Sequence, residues 1–296
     1  MSTKTPGVSL QESARSAAQI PGIEPALNVA QARRNRIARG LQLAVPVTVF
    51  LLAVLAWEAT VRINEIPHYL IPAPSLVLRT LANEWPSLAP SLWFTLKLTF
   101  AALAFAILGG VLLAIVLSMS RWAELAFLPF AVVLQVTPIV AIAPLIMIYV
   151  DSTFAALLIC AWIVAFFPIL SNTIIGLRSA DHNLRDLFQL YNASPWQRMR
   201  WLLLPSSLPF FLGGLKIAGG LALIGAVVAE FVAGAAGKDT GLASRVLEAS
   251  FRTEIPRMFA ALVLISLCGI FIYLAFNGLS RWLLGRWHES EIKGDR

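Results

Sequence analysis

Charge is scarce in this chain of 296 residues: Asp, Glu, Lys and Arg together make up 13%, against 58% apolar residues and a mean hydropathy of +0.76. A soluble domain carries about 25% charged residues, so there is too little charge here to cover a water-facing surface. The shortage excludes an intrinsically disordered chain and a single soluble enzyme, and marks a membrane protein. Cysteine is scarcer still. Cys160 and Cys268 lie far apart in separate apolar runs, which excludes a disulfide scaffold, offers no zinc or redox spacing, and reads as two small core residues. The three histidines, His68, His182 and His288, stand in three separate segments, and neither H-E-x-x-H nor G-x-S-x-G occurs. The only Gly-Lys near a run of small residues, Gly237-Lys238, is followed by Asp239 and has Val232 where a phosphate-binding loop needs its first glycine. No catalytic constellation and no metal set is visible. There is no repeat of 20 to 50 residues and no Gly/Ser linker.

What is present is a series of long apolar runs. A helix needs about twenty apolar residues to cross a hydrocarbon core of about 30 Å, at about 1.5 Å per residue. Four runs meet this cleanly: Leu98 to Met119, Thr153 to Gly176, Phe210 to Ala233 and Met258 to Phe276. Two more are less regular: Leu41 to Val61, broken by Pro46 and Glu58, and Leu125 to Val150, which contains Gln135, Thr137, Pro138 and Pro144. The expected fold is therefore an all-α integral membrane protein with about six transmembrane helices.

The basic residues set its direction. If residues 1–40 face the cytoplasm, the inward segments hold fifteen Lys or Arg and the outward ones, with Lys97 counted among them, hold seven. This is the positive-inside asymmetry, and it absorbs most of the net charge of +7 without invoking nucleic acid. Residues 1–40 have no signal-peptide core and read as a mostly disordered cytosolic tail. Residues 41–287 form one membrane domain and 288–296 a cytosolic C-terminal tail. In the first outward segment, Ile71-Pro72-Ala73-Pro74-Ser75 is a stiff turn, after which Ser75 is expected to cap a short amphipathic helix.

Several polar groups fall inside the runs. Glu230 is costly there unless it meets a partner, the interface or a cavity. It reads either as an anchor for the outer segment or a dimer contact, or as a gate. Lys216 lies about 21 Å away along one helix, beyond pairing reach, and is expected to extend to cytoplasmic headgroups. Gly109-Gly110, Gly213-Gly214 and Gly219-Gly220 offer close helix packing or flexible points. The prolines beside Gln135 and Thr137 free backbone carbonyls, which suits a segment lining a pathway as well as a packed kink. Ser171, Asn172 and Thr173 are weaker candidates of the same type.

Residues 177–209 are too polar to span and too rich in Leu, Phe, Tyr and Trp for a solvated loop. Leu184, Leu187, Phe188, Leu190 and Tyr191 recur at helical spacing, Asn192 is a helix stop, and Ser194-Pro195 opens a second short helix with Trp196 exposed. An apolar face in cytosol needs cover. That cover is lipid headgroups, with Arg185, Arg198 and Arg200 reaching phosphates, or a protein partner.

This loop resembles the "EAA" loop of ABC importer permeases: Glu-Ala-Ala, a Gly four residues on, then Leu-Pro. The matching positions are Asp186, Leu187 and Phe188, then Asn192, then Leu204-Pro205, with Ala193-Ser194 and Trp196-Gln197 in the usual setting. Asp stands for Glu, two bulky residues for the alanines, and Asn for Gly, although Asn tolerates the left-handed turn. Over about residues 68 to 277 the chain is similar to the nitrate/sulfonate/taurine branch of that family, through Ile71 to Ser75, Thr95-Leu96-Lys97, Gln135-Val136-Thr137-Pro138 with Pro144-Leu145, Phe166-Phe167-Pro168 and Ala229-Glu230. The stretches 161–172 and 181–186 look more like pyrimidine-precursor permeases.

The resemblance implies a non-enzymatic transport subunit in a bacterial-type inner membrane, with two copies forming the pathway. Two separate ABC ATPase subunits, which bind ATP and Mg, would dock on the cytoplasmic loop of about residues 177–205 and push on residues 184–200, while an extracytoplasmic binding protein delivers a small solute. The alternative from another class is a secondary transporter driven by an ion gradient. It should show intramembrane charged relays, for which only Glu230 and Lys216 are available. A membrane-embedded enzyme would need clustered catalytic groups, and none is seen.

Overall fold

The computed structural model describes residues 44–234 and 240–285, and the regular structure in them is helical throughout. The two tails and the Gly237-Lys238-Asp239 stretch fall outside the described residues. The chain divides into two units at Glu65. The first contributes α1 (Ala44–Ile63), an apolar helix that leaves Phe50, Leu52 and Leu55 exposed and pairs Glu58 with Arg62 one turn on at 2.6 Å.

The second unit holds the remaining helices. They are α2 (Pro74–Asn83), α3 (Trp85–Met119), α4 (Arg121–Val136), α5 (Ile139–Tyr149), α6 (Thr153–Arg178) and α7 (His182–Leu190). After them come α8 (Pro195–Arg198), α9 (Leu204–Ala233), α10 (Leu242–Phe251) and α11 (Ile255–Leu284). Among the described residues five helices are long and apolar enough to cross a bilayer, or six if α4 and α5, bent by 101° at Thr137-Pro138, form one broken span.

Three sequence expectations shift. First, α3 begins thirteen residues before Leu98, because Pro86 falls in its first turn, where a missing N–H is harmless. Lys97 is thus inside a helix and not in a loop, with Nζ 5.2 Å from the Phe154 ring centroid. Second, α8 and α9 are one continuous rod, not a loop helix followed by a span at Phe210. A π-helical turn, Met199–Leu203, joins them, with Leu204 N–H donating to the Met199 carbonyl. The wide turn falls immediately before Pro205, which has no N–H and would crowd the carbonyl four residues back in an α-helix. Third, the N-cap of α2 is Ala73, and Ser75 lies within the first turn behind Pro74.

The core is the contact between α6 and α9, with α3 packed against α6. Small residues make it possible: Ala156, Cys160, Ala161 and Ala165 on α6, and Ala218, Ala222, Ala226 and Ala229 on α9, are all fully buried. A Cβ on Gly214 would stand 2.8 Å from the Pro168 carbonyl of α6, so any side chain there would push the helices apart. Its neighbour Gly213 has open space, so one glycine of the doublet makes the contact. Lipid-type exposure covers the outside: Phe105, Leu108 and Leu112 on α3 and Leu267, Ile270 and Phe271 on α11 point away from the protein. In hydrocarbon such side chains cost nothing, and close packing of small residues becomes the main source of helix association.

Connectivity places α7 and α8 at one end of the bundle, beyond the last turn of α6. The short helices α2 and α10 lie at the other end, where Val77, Leu88, Leu242, Val246 and Leu264 form a separate buried cluster.

Candidate functional site: a docking helix pair and a buried clamp

The α7–α8 pair is shaped by local capping. Asp181 accepts the Asn183 N–H at 2.7 Å and opens α7. At the other end of α7, Asn192 adopts φ 50°, Ala193 N–H reaches the Phe188 carbonyl at 2.9 Å, and Asn192 N–H the Gln189 carbonyl at 2.9 Å. This is a Schellman closure with Asn in the left-handed position usually held by Gly. Ser194 then forms a capping box with Gln197: its hydroxyl accepts the Gln197 N–H at 3.2 Å, and its own N–H donates to Gln197 Oε1 at 2.8 Å. Pro195 takes the first helical position.

These turns set two short helices around an apolar groove of about 430 Å³, walled by Leu187, Phe188, Tyr191, Ala193, Gln197 and Trp201. Asp186, Leu187, Asn192, Ser194 and Trp196 are exposed, with Trp196 at 64%, while Phe188, Ala193 and Leu204 are half-buried and Pro205 sits exposed in the first turn of α9. The groove offers aromatic and apolar walls with one amide, Gln197, which suits a protein surface. Among the described residues no group of three or more His, Cys, Asp or Glu is placed to hold a metal ion.

Gln135, Thr137 and Pro138 come together at the α4–α5 break. Thr137 ends α4, with its N–H and its hydroxyl both directed to the Val133 carbonyl, at 3.1 and 2.6 Å. Pro138 starts α5, and Gln135 is exposed. Thr173 and Asn172 on α6 turn back to carbonyls of their own helix, Ile169 at 2.6 Å and Pro168 at 2.9 Å.

Glu230 lies at the other end of the molecule, 1% exposed. Oε1 accepts the Thr95 hydroxyl at 2.8 Å, and Oε2 accepts the Ala243 N–H at 2.9 Å. The Thr95 oxygen in turn accepts the Leu242 N–H at 2.9 Å. The first amides of α10 need acceptors, and its N-cap, Gly241, has no side chain to supply one. Glu230 from α9 and Thr95 from α3 supply them across the fold, and a Cβ on Gly241 would collide with the Glu230 carboxylate. The part played by Thr95 was not visible in sequence. The signal that could have found it is a helix start with Gly at its cap and no local acceptor.

Around this clamp, Arg245 Nε donates to Ser91 at 3.0 Å and Nη1 to Glu248 at 2.8 Å, while Arg257 joins Ser87 at 3.0 Å and Glu254 at 3.0 Å. The Arg245 contact holds the Glu248 carboxyl below its usual range, with Arg257 and Arg252 assisting.

Comparison with known proteins places this architecture. The model of the binding-protein-dependent transport system inner membrane component family matches residues 106–288. A probable ABC transporter permease of Haemophilus influenzae is 30% identical over 83% of this chain and 98% of its own length. The riboflavin transport permease RibX of Chloroflexus aurantiacus is 33% identical over 84% of this chain and 91% of its own. The formylaminopyrimidine transport permease ThiX of Halalkalibacterium halodurans is 33% identical over 83% and 97%. A putative aliphatic sulfonate permease of Bacillus subtilis and the taurine permease of Escherichia coli match at 25% and 24% identity. Among solved structures, the inward-facing MetNI methionine ABC transporter shares the fold, with a TM-score of 0.58 at 19% identity over 66% of this chain and 94% of that one.

Proposed function

Since the chain belongs to the family of binding-protein-dependent transport system inner membrane components and is the permease subunit of an ABC importer, we propose that the α7–α8 pair receives its ATPase subunits. The observation that carries this reading is the aromatic groove of about 430 Å³ walled by Leu187, Phe188, Tyr191 and Trp201, on a helix pair that also exposes Asp186 and Trp196. Two ATPase subunits, holding ATP and Mg, serve two copies of the chain in a bacterial-type inner membrane, and the α7–α8 end faces the cytoplasm. The asymmetry of Lys and Arg between the segments that the sequence assigns inward and outward supports this direction.

The solute passes between the two copies after release from an extracytoplasmic binding protein. The α4–α5 break at Gln135, Thr137 and Pro138 borders the route, since non-helical backbone at membrane depth is tolerated beside protein or water and not beside lipid. Glu230, locked to α10, fixes the outer segment on which the binding protein is received. Relatives at 33% identity are named for riboflavin and formylaminopyrimidine transport, and those near 25% for sulfonates and taurine. This favours a small nitrogen heterocycle over an organic sulfonate as the solute.

The test is replacement of Asp186 or Trp196 by Ala in the native complex. Truncating a buried aromatic anchor at an interface costs roughly tenfold or more in affinity, so the Trp196 variant is expected to lose its ATPase on purification or to hydrolyse ATP without transport. Native ATPase retention together with full solute-stimulated hydrolysis in both variants would overturn the docking assignment.

A further inference from the structure

Beyond the groove, α7 is tied by a side chain to α6, the helix that precedes it across residues 179–181. The last carbonyls of α6 have no partners within the helix. Arg185, in the middle of α7, supplies them: its Nη2 donates to the Leu177 carbonyl at 3.2 Å and to the Arg178 carbonyl at 2.8 Å. The guanidinium is half-buried, and a cation at a helix C-terminus is also favoured by the helix dipole. Any displacement of α7 therefore pulls on the last turn of α6 through a side chain as well as through the peptide chain.

The last residue of α6 carries the contact further. The Arg178 side chain is ion-paired with Glu124 in the first turn of α4, whose own start is capped by Ser120 accepting the Ala123 N–H at 3.3 Å. Both partners stand in the wall of a cavity of about 790 Å³ that separates the end of α3 from α4. On that side, among the described residues, α4 meets no packed helix across the cavity. Its far end is the 101° break at Thr137-Pro138.

Resting on the docking role of α7 proposed above, we infer that Arg185, Arg178 and Glu124 form a linkage that transmits movement of the docking helices through the end of α6 to the broken span α4–α5. In this linkage Arg185 and Arg178 are positioning residues, acting through the ends of α6 and α4. The ion pair is suited to this because Arg178 is 55% exposed, so water can replace either partner as the contact breaks and reforms.

The experiment uses the full complex with its co-purified ATPase in lipid nanodiscs, with a bimane fluorophore on Val132→Cys. Val132 lines the cavity on α4 and is 42% exposed, while the two native cysteines are buried. The probe of the cycle is MgATP with vanadate, read as the shift in bimane emission, alongside ATP hydrolysis. The native background is expected to shift. Glu124→Arg and Arg178→Glu singly should reduce the shift by about threefold or more, the scale of an exposed ion pair made repulsive, while ATP hydrolysis and ATPase retention persist. The double swap should restore it, and Arg185→Lys should retain what Arg185→Met loses. A full shift in both single reversals, or no shift in the native background, overturns the linkage. Failure of the docking reading is distinct: it shows as full ATPase retention and solute-stimulated hydrolysis in the Asp186 and Trp196 variants.

Discussion

At the α10 end, Glu230 is 1% exposed and, among the described residues, is held by a hydroxyl and a backbone amide with no cation paired to it. At the α7 end, Glu124 has a side chain 17% exposed and is held by Arg178, itself 55% exposed. Both carboxylates join helices distant in sequence, yet the physics of letting go differs. Opening the Glu230 contact leaves buried donors unsatisfied, with a cost of about 1 to 3 kcal/mol for each. Opening the Glu124 pair lets water in, and such pairs are worth about 0 to 1 kcal/mol. One end is held by buried bonds and the other by a contact that water can replace, which is the division that the proposed docking at α7–α8 requires.

The strongest way to break this comparison is at Glu230. Glu230→Leu removes both acceptors, leaving the Ala243 N–H and the Thr95 hydroxyl without partners, and is expected to cost about 2 kcal/mol or more. Glu230→Gln should cost clearly less, because its carbonyl can keep the Ala243 amide while its NH₂ donates to Thr95. Denaturation of the purified protein in mild detergent checks both. Equal stability for the Leu variant and the native chain would show that the clamp does not hold the α10 end.

How much of this was legible follows the sequence distance of the contacts. The turn at Asn192 and the Ser194-Gln197 cap were readable because each is settled within a few residues by rules of local hydrogen bonding. The break at Thr137-Pro138 was readable for the same reason, since proline acts on its own turn. The small-residue doublets marked helix packing, but a doublet does not say which glycine faces inward, and contact geometry chose Gly214 over Gly213. The start of α3 was missed because Ser87, Ser91 and Lys97 thin the apolar run without ending the helix. The partners of Glu230 were out of reach: Thr95 is 135 residues away. The Arg178–Glu124 pair crosses 54 residues, and each residue alone looks like an ordinary charge at a helix end.

A smaller effect sharpens the other side of the comparison. Glu124→Gln should change unfolding stability by less than about 1 kcal/mol, because the partly exposed pair exchanges its contact for water. The same detergent denaturation reads it. A loss as large as that of Glu230→Leu would mean that the α7 end is also a fixed joint, and the proposed division of labour would fail.

The smallest expected effect separates position from chemistry. Glu248 sits on α10, at the fixed end, but it is solvated and ion-paired like Glu124, with Arg245 at 2.8 Å and Arg252 at 3.1 Å. Its carboxyl is held below the usual range by the Arg245 hydrogen bond. A carboxyl depressed in the folded state contributes stability that is complete above its unfolded value of about 4.3 and is lost as pH falls through the lower folded value. The native chain should therefore exceed Glu248→Gln slightly in thermal stability at neutral pH, and the difference should close as the pH is taken well below about 4. Since Glu248 shares the place of Glu230 and the chemistry of Glu124, its behaviour decides which of the two governs. A gap that stays constant with pH would mean that its charge contributes nothing, and that only burial under α10 holds this end of the molecule.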